Sequence, residues 1–532
     1  MFNRRELFRL ARLLGVGCAV RGADVVAAQT PSNGSPTPSD IYKSLGVRPL
    51  INCRGTITVI GGSIELPEVR AAKSAANQQH VQLDELMEAV GTRLAELTGA
   101  EWGMVSAGCA AAMSHATAAC VAGGNPDLHV RIPNLAGFAK TEVIIPDHSR
   151  NVYDAAIRAL GVTVIEVDSP EALQLAIGPK TAMIYIFAGP RNDSGPMSTE
   201  GICRIAKAHG IPVLVDAAAE ILTIPNVHLQ RGATLVAYSG GKYIRGPQSA
   251  GLLLGRKDLV RAAWVHSAPH HGYARAMKVG REEMVGMVVA VENWVKRDHA
   301  AEWKQWIARC EYIADAVSKI PGVTASVQRE PDATLSNRSP RVTVMWESQK
   351  VGITGPAVAD VLYNTEPRIA LAGSRGPGQS RATNSGGADS SISIVASMMA
   401  AGDEPIVAQR IQQVLLAKHT LAPAETLASP VANLSGRWEI DIQYAASTTR
   451  HTAHLQQNGN RLDGIHQGNF LTRDISGTIN GDAVSLASSV TERHGDALSY
   501  RFIGKVTGDA ISGALDLGEY LAATWTARRP GR

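Results

Sequence analysis

Short apolar runs alternate with amphipathic helical stretches through the first half of the chain. The runs predict buried strands at residues 103–106, 143–146, 162–167, 182–188, 212–215, 234–238 and 250–254. Apolar residues at helical spacing lie between most of these strands, at residues 109–122, 151–160, 170–177 and 198–209. Alternating strands and helices are typical of a mostly parallel sheet with helices on both faces. The pattern therefore predicts an α/β fold.

Helices and strands on either side complete a second, smaller unit. Helical patterns precede the sheet at residues 67–79 and 83–98 and follow it at residues 284–320 and 403–417. Alternating segments at residues 323–327 and 341–346 predict strands, and the Gly/Ser-rich residues 373–391 predict a long loop. Together these patterns predict a large domain at residues 41–299 and a small α/β domain at residues 300–418.

The pattern changes again near the C-terminus. Short alternating segments separated by Asn-Gly and Gly-Asp turns predict strands at residues 438–444, 452–457, 461–466, 483–489, 499–506 and 520–527. Such spacing is typical of an antiparallel all-β module, either a small barrel or a sandwich. We place this module at residues 434–532, after a linker at residues 419–433.

Composition excludes several classes of protein. With 532 residues, 45% hydrophobic and 19% charged, the chain is expected to form several globular domains. The formal charge is +4, of which residues 1–30 contribute +3, and aromatic residues make up 5%, so nothing favours nucleic acid as a partner. We also expect no membrane span. The six cysteines are scattered without a Cys-x-x-Cys pair, so neither a metal site nor a disulfide framework is predicted.

Residues 1–29 carry the features of an export signal. A basic segment with Arg4 and Arg5 precedes a short apolar stretch and the small residues 26–28. The arginine pair resembles a twin-arginine signal, which carries folded proteins and predicts a periplasmic or exported protein. The alternative is a basic amphipathic helix with no role in export. The Pro/Ser-rich residues 30–40 predict a linker.

The candidate chemistry lies at the ends of two predicted strands. Asp216 ends one strand, at the edge where open α/β sheets bind ligands, and Lys242 follows Gly240 and Gly241 beyond another. A pyridoxal phosphate site needs such a pair, because the carboxylate keeps the pyridine nitrogen protonated and the lysine forms the Schiff base. Residues 106–111 follow a strand and open a helix, which favours a phosphate. This anion seat includes Gly108, Cys109 and Ala110.

These motifs resemble those of pyridoxal-phosphate enzymes with the aspartate aminotransferase fold (fold type I), specifically the group of selenocysteine synthase and D-glucosaminate-6-phosphate ammonia-lyase. The resemblance covers roughly residues 41–418 and is carried by residues 51–56, 61–63, 97–101, 106–111, 212–217, 239–242, 245–248 and 277–283. It implies that Lys242 is the Schiff-base lysine and moves the proton at Cα, and that Asp216 pairs with the pyridinium. It also implies a homodimer or higher homo-oligomer with sites at the subunit interface. Residues 434–532 lie outside it.

Further candidates for the cofactor site have ordinary structural alternatives. His148 is similar to the ring-stacking residue of this fold, although a histidine serving only its own loop fits equally well. Ser239 and Gln248 are candidates for hydrogen bonds to the phosphate or the ring hydroxyl, and bonding within their loop is the alternative. Lys278 is the alternative candidate for the Schiff-base lysine. We expect it instead to contact a phosphate or a subunit interface, and an ordinary surface position is equally compatible with the sequence. His270 and the histidine after it favour a loop over a metal site.

Three residues are candidates for contact with substrate. Arg368 is a candidate clamp for a carboxylate, because a guanidinium matches that group in two hydrogen bonds. Asn52 and Arg54 are expected to approach the site, including from a neighbouring subunit. The expected substrate is a small molecule of the amino-acid or amino-sugar-acid type.

The resemblance favours a β-eliminating lyase, because both named relatives activate the position next to the amine-bearing carbon. Aminotransferase or other transferase, racemase and aldolase chemistry would use the same residues. A non-catalytic exported binding protein is the alternative of a different class, and the presence of both Asp216 and Lys242 argues against it.

Replacing Arg4 and Arg5 together by lysine is expected to leave folded, cofactor-loaded protein in the cytoplasm, because the twin-arginine route recognises that pair. Fractionation of cells, with cofactor absorbance measured in each fraction, checks this. Undiminished delivery to the periplasm would assign the protein to the general secretory route instead.

Overall fold

The computed structural model describes residues 38–331, 334–372, 390–420, 427–491 and 497–531. The predicted export signal, most of the linker after it and nearly all of the predicted 373–391 loop lie outside the described residues. Within the described ranges, no helix is long and apolar enough to cross a membrane. Among the described residues, those from Pro38 to Pro49 belong to one unit and those from Leu50 onward form a second one.

The helices and strands are numbered here in chain order. The α-helices are α1 Pro38–Ser44, α2 Pro67–Ala76, α3 Leu83–Thr98, α4 Gly108–Ala122, α5 Pro126–His129, α6 Ala155–Arg158, α7 Pro170–Ala176, α8 Thr199–Ala208, α9 Val227–Gln230, α10 Lys257–Trp264, α11 Arg281–Lys296, α12 His299–Val317, α13 Ser348–Val351, α14 Gly355–Asn364 and α15 Asp403–Leu416. The strands are β1 Ile51–Asn52, β2 Trp102–Ser106, β3 Glu142–Pro146, β4 Thr163–Val167, β5 Thr181–Phe187, β6 Val213–Asp216, β7 Leu235–Ser239, β8 Gly251–Gly255, β9 Val323–Gln328, β10 Arg341–Trp346, β11 Ile369–Ala370, β12 Ser391–Val395, β13 Gly436–Gln443, β14 Thr448–Asn458, β15 Arg461–Gln467, β16 Thr472–Asn480, β17 Ala483–Thr491, β18 Ala497–Thr507, β19 Ala510–Asp516 and β20 Ala522–Arg528.

The large domain is built on a seven-stranded sheet with the order β2-β8-β7-β6-β5-β3-β4. Strands β3 to β7 pair in parallel, whereas β8 runs antiparallel to both β7 and β2. Most of β2, β3, β5, β6, β7 and β8 is buried, as expected for apolar runs in a sheet with helices on both faces. The predicted mostly parallel α/β sheet is confirmed.

Two helical predictions differ from the structure. The segment 284–320 is two helices, because Arg297 adopts an extended conformation and Asp298 caps α12 by accepting a hydrogen bond from the Ala301 N–H at 2.9 Å. The segment 151–160 is a 3₁₀ turn, Val152–Asp154, followed by the short α6. In the first segment, a polar side chain that bonds the backbone interrupts an otherwise helical pattern. In the second, the Asn151 side chain begins the 3₁₀ turn by accepting a hydrogen bond from the Tyr153 N–H at 2.8 Å.

The small domain has its own hydrophobic core around a three-stranded antiparallel sheet, β12-β10-β9. Helices α12 and α14 pack on this sheet, and α15 packs against both of these helices. Strand β1 pairs in parallel with β11, with Ile51 opposite Ile369, so the chain entering the large domain is hydrogen-bonded to the small one. The sequence analysis did not predict β1, β11 or β12.

The C-terminal module is a closed eight-stranded barrel in which each strand pairs with the next and β20 closes on β13. This confirms the predicted all-β addition and selects the barrel over the sandwich. The barrel encloses a separate hydrophobic core that includes Trp438, Phe502 and Trp525. Strands β16 and β19 were not predicted, because Gly477 and Gly513 interrupt the alternation of apolar and polar side chains that indicates a strand.

Candidate active site

Asp216 is the last residue of β6 and is almost completely buried, with 1% of its surface exposed. Its Oδ1 accepts hydrogen bonds from the Ala218 N–H at 3.0 Å and from the Cys109 thiol at 3.4 Å, and its Oδ2 accepts one from the Tyr185 hydroxyl at 3.0 Å. Burial raises the pKa of Asp216, while these hydrogen bonds and the nearby charge of Lys242 act in the opposite direction. No described residue forms a salt bridge with this carboxylate, so its neighbourhood suits a cationic ligand atom.

Sheet register explains why Tyr185 reaches Asp216. Phe187 of β5 lies opposite Asp216, and Tyr185, two residues earlier, points to the same face of the sheet. Its hydroxyl also accepts a hydrogen bond from the Asn151 amide at 3.0 Å. Tyr185 and Asn151 were not among the predicted site residues. A tyrosine inside an otherwise apolar buried strand is nevertheless a signal, because a buried hydroxyl needs a hydrogen-bond partner.

Lys242 follows β7 on a tight loop and is partly buried. Burial lowers the pKa of its amine, and the neighbouring Cys109 and Asp216 raise it again. No hydrogen bond or ion pair joins this amine to another described side chain. A partly desolvated, unbonded amine is suited to nucleophilic attack and proton transfer.

The loop that carries Lys242 depends on close backbone contacts. A Cβ at Gly241 would lie 2.1 Å from the Gln248 Oε1 position, so a larger residue would displace that side chain. With its nitrogen turned toward the loop, the Gln248 amide donates to the carbonyls of Gly61 at 3.2 Å and Gly241 at 3.1 Å. Gln248 therefore braces the lysine loop, which is the alternative that the sequence analysis left open. Ser239, at the end of β7, is partly buried and pairs with Gly251 in the sheet.

The predicted anion seat is the N-terminus of α4. This helix begins at Gly108, and its N-cap residue Ala107 provides no side-chain hydrogen bond, so the first backbone N–H groups are available to a ligand. Cys109 is buried beneath this turn and Ala110 is exposed on it. A Cβ at Gly251 of β8 would lie 2.4 Å from the Gly108 carbonyl carbon, so β8 supports this turn by direct backbone contact.

His148 lies directly beyond β3, at the same edge of the sheet as Asp216. Its Nε2 is 2.7 Å from Asn192 Oδ1 and its Nδ1 is 3.3 Å from Asp147 Oδ1. Both ring nitrogens thus have protein partners, and the ring is fixed in orientation. This position is compatible with stacking and with the alternative of a histidine bonded within its loop.

Arg54 lines a cavity of about 340 Å³ beside the lysine loop. Tyr243, the neighbour of Lys242, and Arg341 of the small domain line the same cavity. Burial lowers the pKa of Arg54, as expected for a guanidinium drawn away from water. The buried Thr56 hydroxyl, which also lines it, has no hydrogen-bond partner among the described residues. Two guanidinium groups and an unbonded hydroxyl suit a substrate carboxylate. Arg341 was not predicted as a site residue, because no motif in the surrounding sequence marks it.

Asn52 and Arg368 are placed differently. The Asn52 side chain bonds its own turn, accepting from the N–H groups of Arg54 at 2.9 Å and Gly55 at 3.0 Å. The Arg368 guanidinium stacks on the Tyr363 ring, 4.0 Å from its centroid, and its Nε donates to the Tyr363 carbonyl at 3.0 Å. Among the described residues, neither is part of the lining of the Arg54 cavity.

No described hydrogen bond or ion pair joins Lys278 or His270 to Asp216 or Lys242. Lys278 is exposed at the end of a 3₁₀ turn. His270 lies edge-on to Trp264, with its Nε2 3.1 Å from Asp84 Oδ1.

The assembled residues fit pyridoxal phosphate. A buried carboxylate without a salt bridge suits the protonated pyridine nitrogen, an uncapped helix N-terminus suits the phosphate, and the free amine of Lys242 suits the aldehyde. The fold and these residues define a pyridoxal-phosphate enzyme of fold type I.

Comparison with known proteins supports this class. The family model of Cys/Met metabolism PLP-dependent enzymes matches residues 84–265. The chain is 33% identical to D-glucosaminate-6-phosphate ammonia lyase of Salmonella typhimurium over 303 residues, 55% of this chain and 79% of that protein. It is 31% identical to 5'-C-glycyluridine monooxygenase-decarboxylase of a Streptomyces species over 348 residues, 62% of this chain and 83% of that protein.

A solved structure of D-glucosaminate-6-phosphate ammonia-lyase superposes with a TM-score of 0.62 at 27% identity, covering 72% of this chain and 99% of that one. The chain belongs to the family of pyridoxal-phosphate-dependent Cys/Met metabolism enzymes. Its cofactor is pyridoxal phosphate, and the family acts on small substrates of the amino-acid type.

Tyr185→Phe is expected to weaken cofactor binding by about tenfold or more, because a hydrogen bond to a charged group contributes about 1.5–3 kcal/mol. Without that bond the pKa of Asp216 rises further, which favours the neutral acid over the carboxylate that pairs with a cation. Titration of apoenzyme with cofactor, followed by absorbance, measures the effect. Tyr238→Phe is the matched control, since the Tyr238 hydroxyl accepts from Asn226 at 2.8 Å, away from Asp216. Equal losses in the two variants would contradict the role assigned to Tyr185.

Attachment of the cofactor to apoenzyme should accelerate as pH rises, with a midpoint below the value of about 10.4 for an ordinary lysine, because burial lowers the pKa of Lys242 and only the neutral amine attacks. Asp216→Asn should lower that midpoint further, since the carboxylate raises the pKa of Lys242. Borohydride trapping at intervals, with peptide mass spectrometry, gives the rate and the site. A label on Lys278, or a midpoint at the ordinary lysine value, would defeat the assignment.

Proposed function

We propose that this enzyme is a lyase that eliminates a β-substituent from a free amino acid or amino sugar acid. The observation that carries the proposal is the joint placement of a partly desolvated Lys242 amine and a buried Asp216 carboxylate at one edge of the sheet. The proposal is supported by the name of the Salmonella relative, an ammonia lyase, and by the fold shared with a solved enzyme of that name.

In this proposal each residue has a limited role. The bound cofactor supplies an electron sink that makes the substrate Cα–H acidic. Asp216, held by Tyr185 and the Ala218 N–H, keeps a negative charge beside the ring nitrogen. The Lys242 amine accepts the Cα proton and can return it to the leaving group. Arg54 and Arg341 orient the substrate carboxylate within the cavity that they share.

Export bears on the choice of substrate. We propose that the chain works outside the cytoplasm, on the strength of the Arg4 and Arg5 pair. The two enzymes that the sequence resembles suggest charged tRNA or a sugar phosphate as the substrate, and both occur mainly in the cytoplasm. A free hydroxy- or sugar-type amino acid therefore suits an exported enzyme better. The cell-fractionation experiment on the arginine pair tests that premise.

The Streptomyces relative supports a second candidate, an oxygen-dependent decarboxylase. Its name describes a monooxygenase-decarboxylase, and this chain covers more of it than of the ammonia lyase. Such an enzyme would consume oxygen and release carbon dioxide from the carboxylate that an elimination leaves intact. The two candidates therefore differ in products that can be measured directly.

The purified holoenzyme, offered β-hydroxy and β-substituted amino acids without any keto acid, is expected to release ammonia and a keto acid at the same rate with and without oxygen. Lys242→Ala should abolish this release, and Lys278→Ala, which changes an exposed lysine of the same charge, should not. Ammonia, keto acid, carbon dioxide and dissolved oxygen are measured together. Oxygen-dependent release of carbon dioxide would favour the second candidate, and turnover only with an added keto acid would favour an aminotransferase.

A further inference from the structure

One end of the C-terminal barrel has a polar interior. The strand ends at Gln443, Gln467 and Asp516 lie at this end, because each strand reverses direction relative to the one before it. On β14 to β18 the inward-facing positions near this end include the polar side chains of His451, His466, Arg473, Ser488 and Tyr500. On β13, β19 and β20 the corresponding positions are the apolar Ile442, Leu515 and Ala523. Deeper in the barrel, the inward positions are apolar.

Arg473 is the unusual member of this group. Only 7% of its surface is exposed, yet its Nε and Nη1 atoms have no hydrogen-bond partner in the described part of the chain. Its guanidinium lies over the Tyr500 ring, 4.9 Å from the centroid, and a Cβ at Gly468 would lie 2.9 Å from Nη1. The group is thus enclosed by an aromatic face and by backbone, and no described carboxylate pairs with it. A buried guanidinium left in this state is costly unless a ligand completes it.

The neighbouring histidines do not balance this charge. His451 Nδ1 is 2.9 Å from His466 Nε2, and His466 Nδ1 is 2.9 Å from Ser488 Oγ, so the two rings form a hydrogen-bonded chain. Burial, together with the charge of Arg473, lowers the pKa of His451 to about 4, and burial with the charges of His451 and Arg473 lowers that of His466 to about 3. Both rings are neutral near pH 7, which leaves Arg473 as the charge of this group.

A cavity opens at the same end of the barrel, and Tyr500 is the member of this group that lines it. Its volume is about 330 Å³, at the lower end of the range of small-molecule sites. Its walls are mainly aromatic and aliphatic, and include Tyr444, Leu498, Tyr500, Leu517 and Leu521. Tyr500 belongs to both the cavity wall and the Arg473 stack, so the Tyr500 ring connects the apolar cavity with the buried guanidinium.

We propose that this end of the barrel binds a small organic carboxylate with an apolar body. The Arg473 Nε and Nη1 atoms, which have no described hydrogen-bond partner, can donate to the two oxygen atoms of a planar carboxylate. The apolar walls of the cavity accept the rest of the molecule. A single cation suits a monoanion better than a phosphate monoester. This site is independent of the proposed lyase reaction, because it lies in a module with a core of its own.

Full-length holoprotein is titrated calorimetrically with octanoate and benzoate, and with 1-octanol and benzyl alcohol as uncharged counterparts. At least one of the carboxylates is expected to bind saturably, and its alcohol about tenfold more weakly or worse, because the charged hydrogen bonds are missing. Arg473→Met should weaken carboxylate binding by about tenfold or more while cofactor absorbance stays unchanged. Arg450→Met is the matched control, since Arg450 lies outside the barrel with its Nε 2.7 Å from Asp441 Oδ1.

Thermal unfolding separates this proposal from a purely structural arginine. Removing a buried cation that has no hydrogen-bonded or charged partner among the described residues should leave the barrel as stable as before or more stable. Loss of a structural contact would instead lower the unfolding temperature of the barrel. Ala445→Trp, at the exposed rim of the cavity, gives a second test that does not depend on the folding of the Arg473 variant, and should block binding. Absence of saturable binding by both carboxylates, binding that survives Ala445→Trp, or equal binding by Arg473→Met and wild type would each overturn the proposal.

Discussion

The burial of the Asp216 carboxylate is the constraint around which the large domain is arranged. An ionised carboxyl inside a protein is costly unless its oxygen atoms are hydrogen-bonded and a positive charge lies nearby. Here a backbone N–H, a thiol and a tyrosine hydroxyl from three different elements converge on it. The parallel sheet makes that convergence possible, because it brings the carboxyl ends of β5 and β6 together and sets α4 against them. No described cation forms a salt bridge with this carboxylate, and in the proposed enzyme the pyridine nitrogen of the cofactor would be its positively charged partner.

The sequence predicted those parts of the fold whose signal is local. Strands buried on both faces appear as continuous apolar runs, so β2 to β8 were located to within about a residue, and helix α3 matched over Leu83–Thr98. Strands β1 and β11, two residues each, exist only because distant segments pair, and no pattern along the chain announces them. The break between α11 and α12 depends on Asp298 as a cap, a signal that the surrounding apolar periodicity hides.

The same distinction applies to the site. Asp216 and Lys242 follow strand ends, so their approach could be argued from the sheet alone. The proximity of Arg54 and Arg341 depends on how the small domain docks, and the hydrogen bond from Tyr185 depends on sheet register. Neither follows from spacing. Gln248 was predicted to lie near Lys242. Its amide hydrogen bonds to the carbonyls of Gly61 and Gly241 were not predicted, because Gly61 is distant in sequence.

The segment from β1 to Ser63 is fastened at both ends. At one end the Ile51 N–H bonds the Arg368 carbonyl at 2.8 Å and the Cys53 N–H bonds the Ala370 carbonyl at 3.0 Å, both in the small domain. At the other end the Ser63 N–H bonds the Gly241 carbonyl, next to Lys242, at 3.1 Å. This segment thus joins the small domain to the loop that carries Lys242 by backbone hydrogen bonds at both of its ends. A rotation of the small domain would therefore be transmitted to the Lys242 loop through about a dozen residues of backbone.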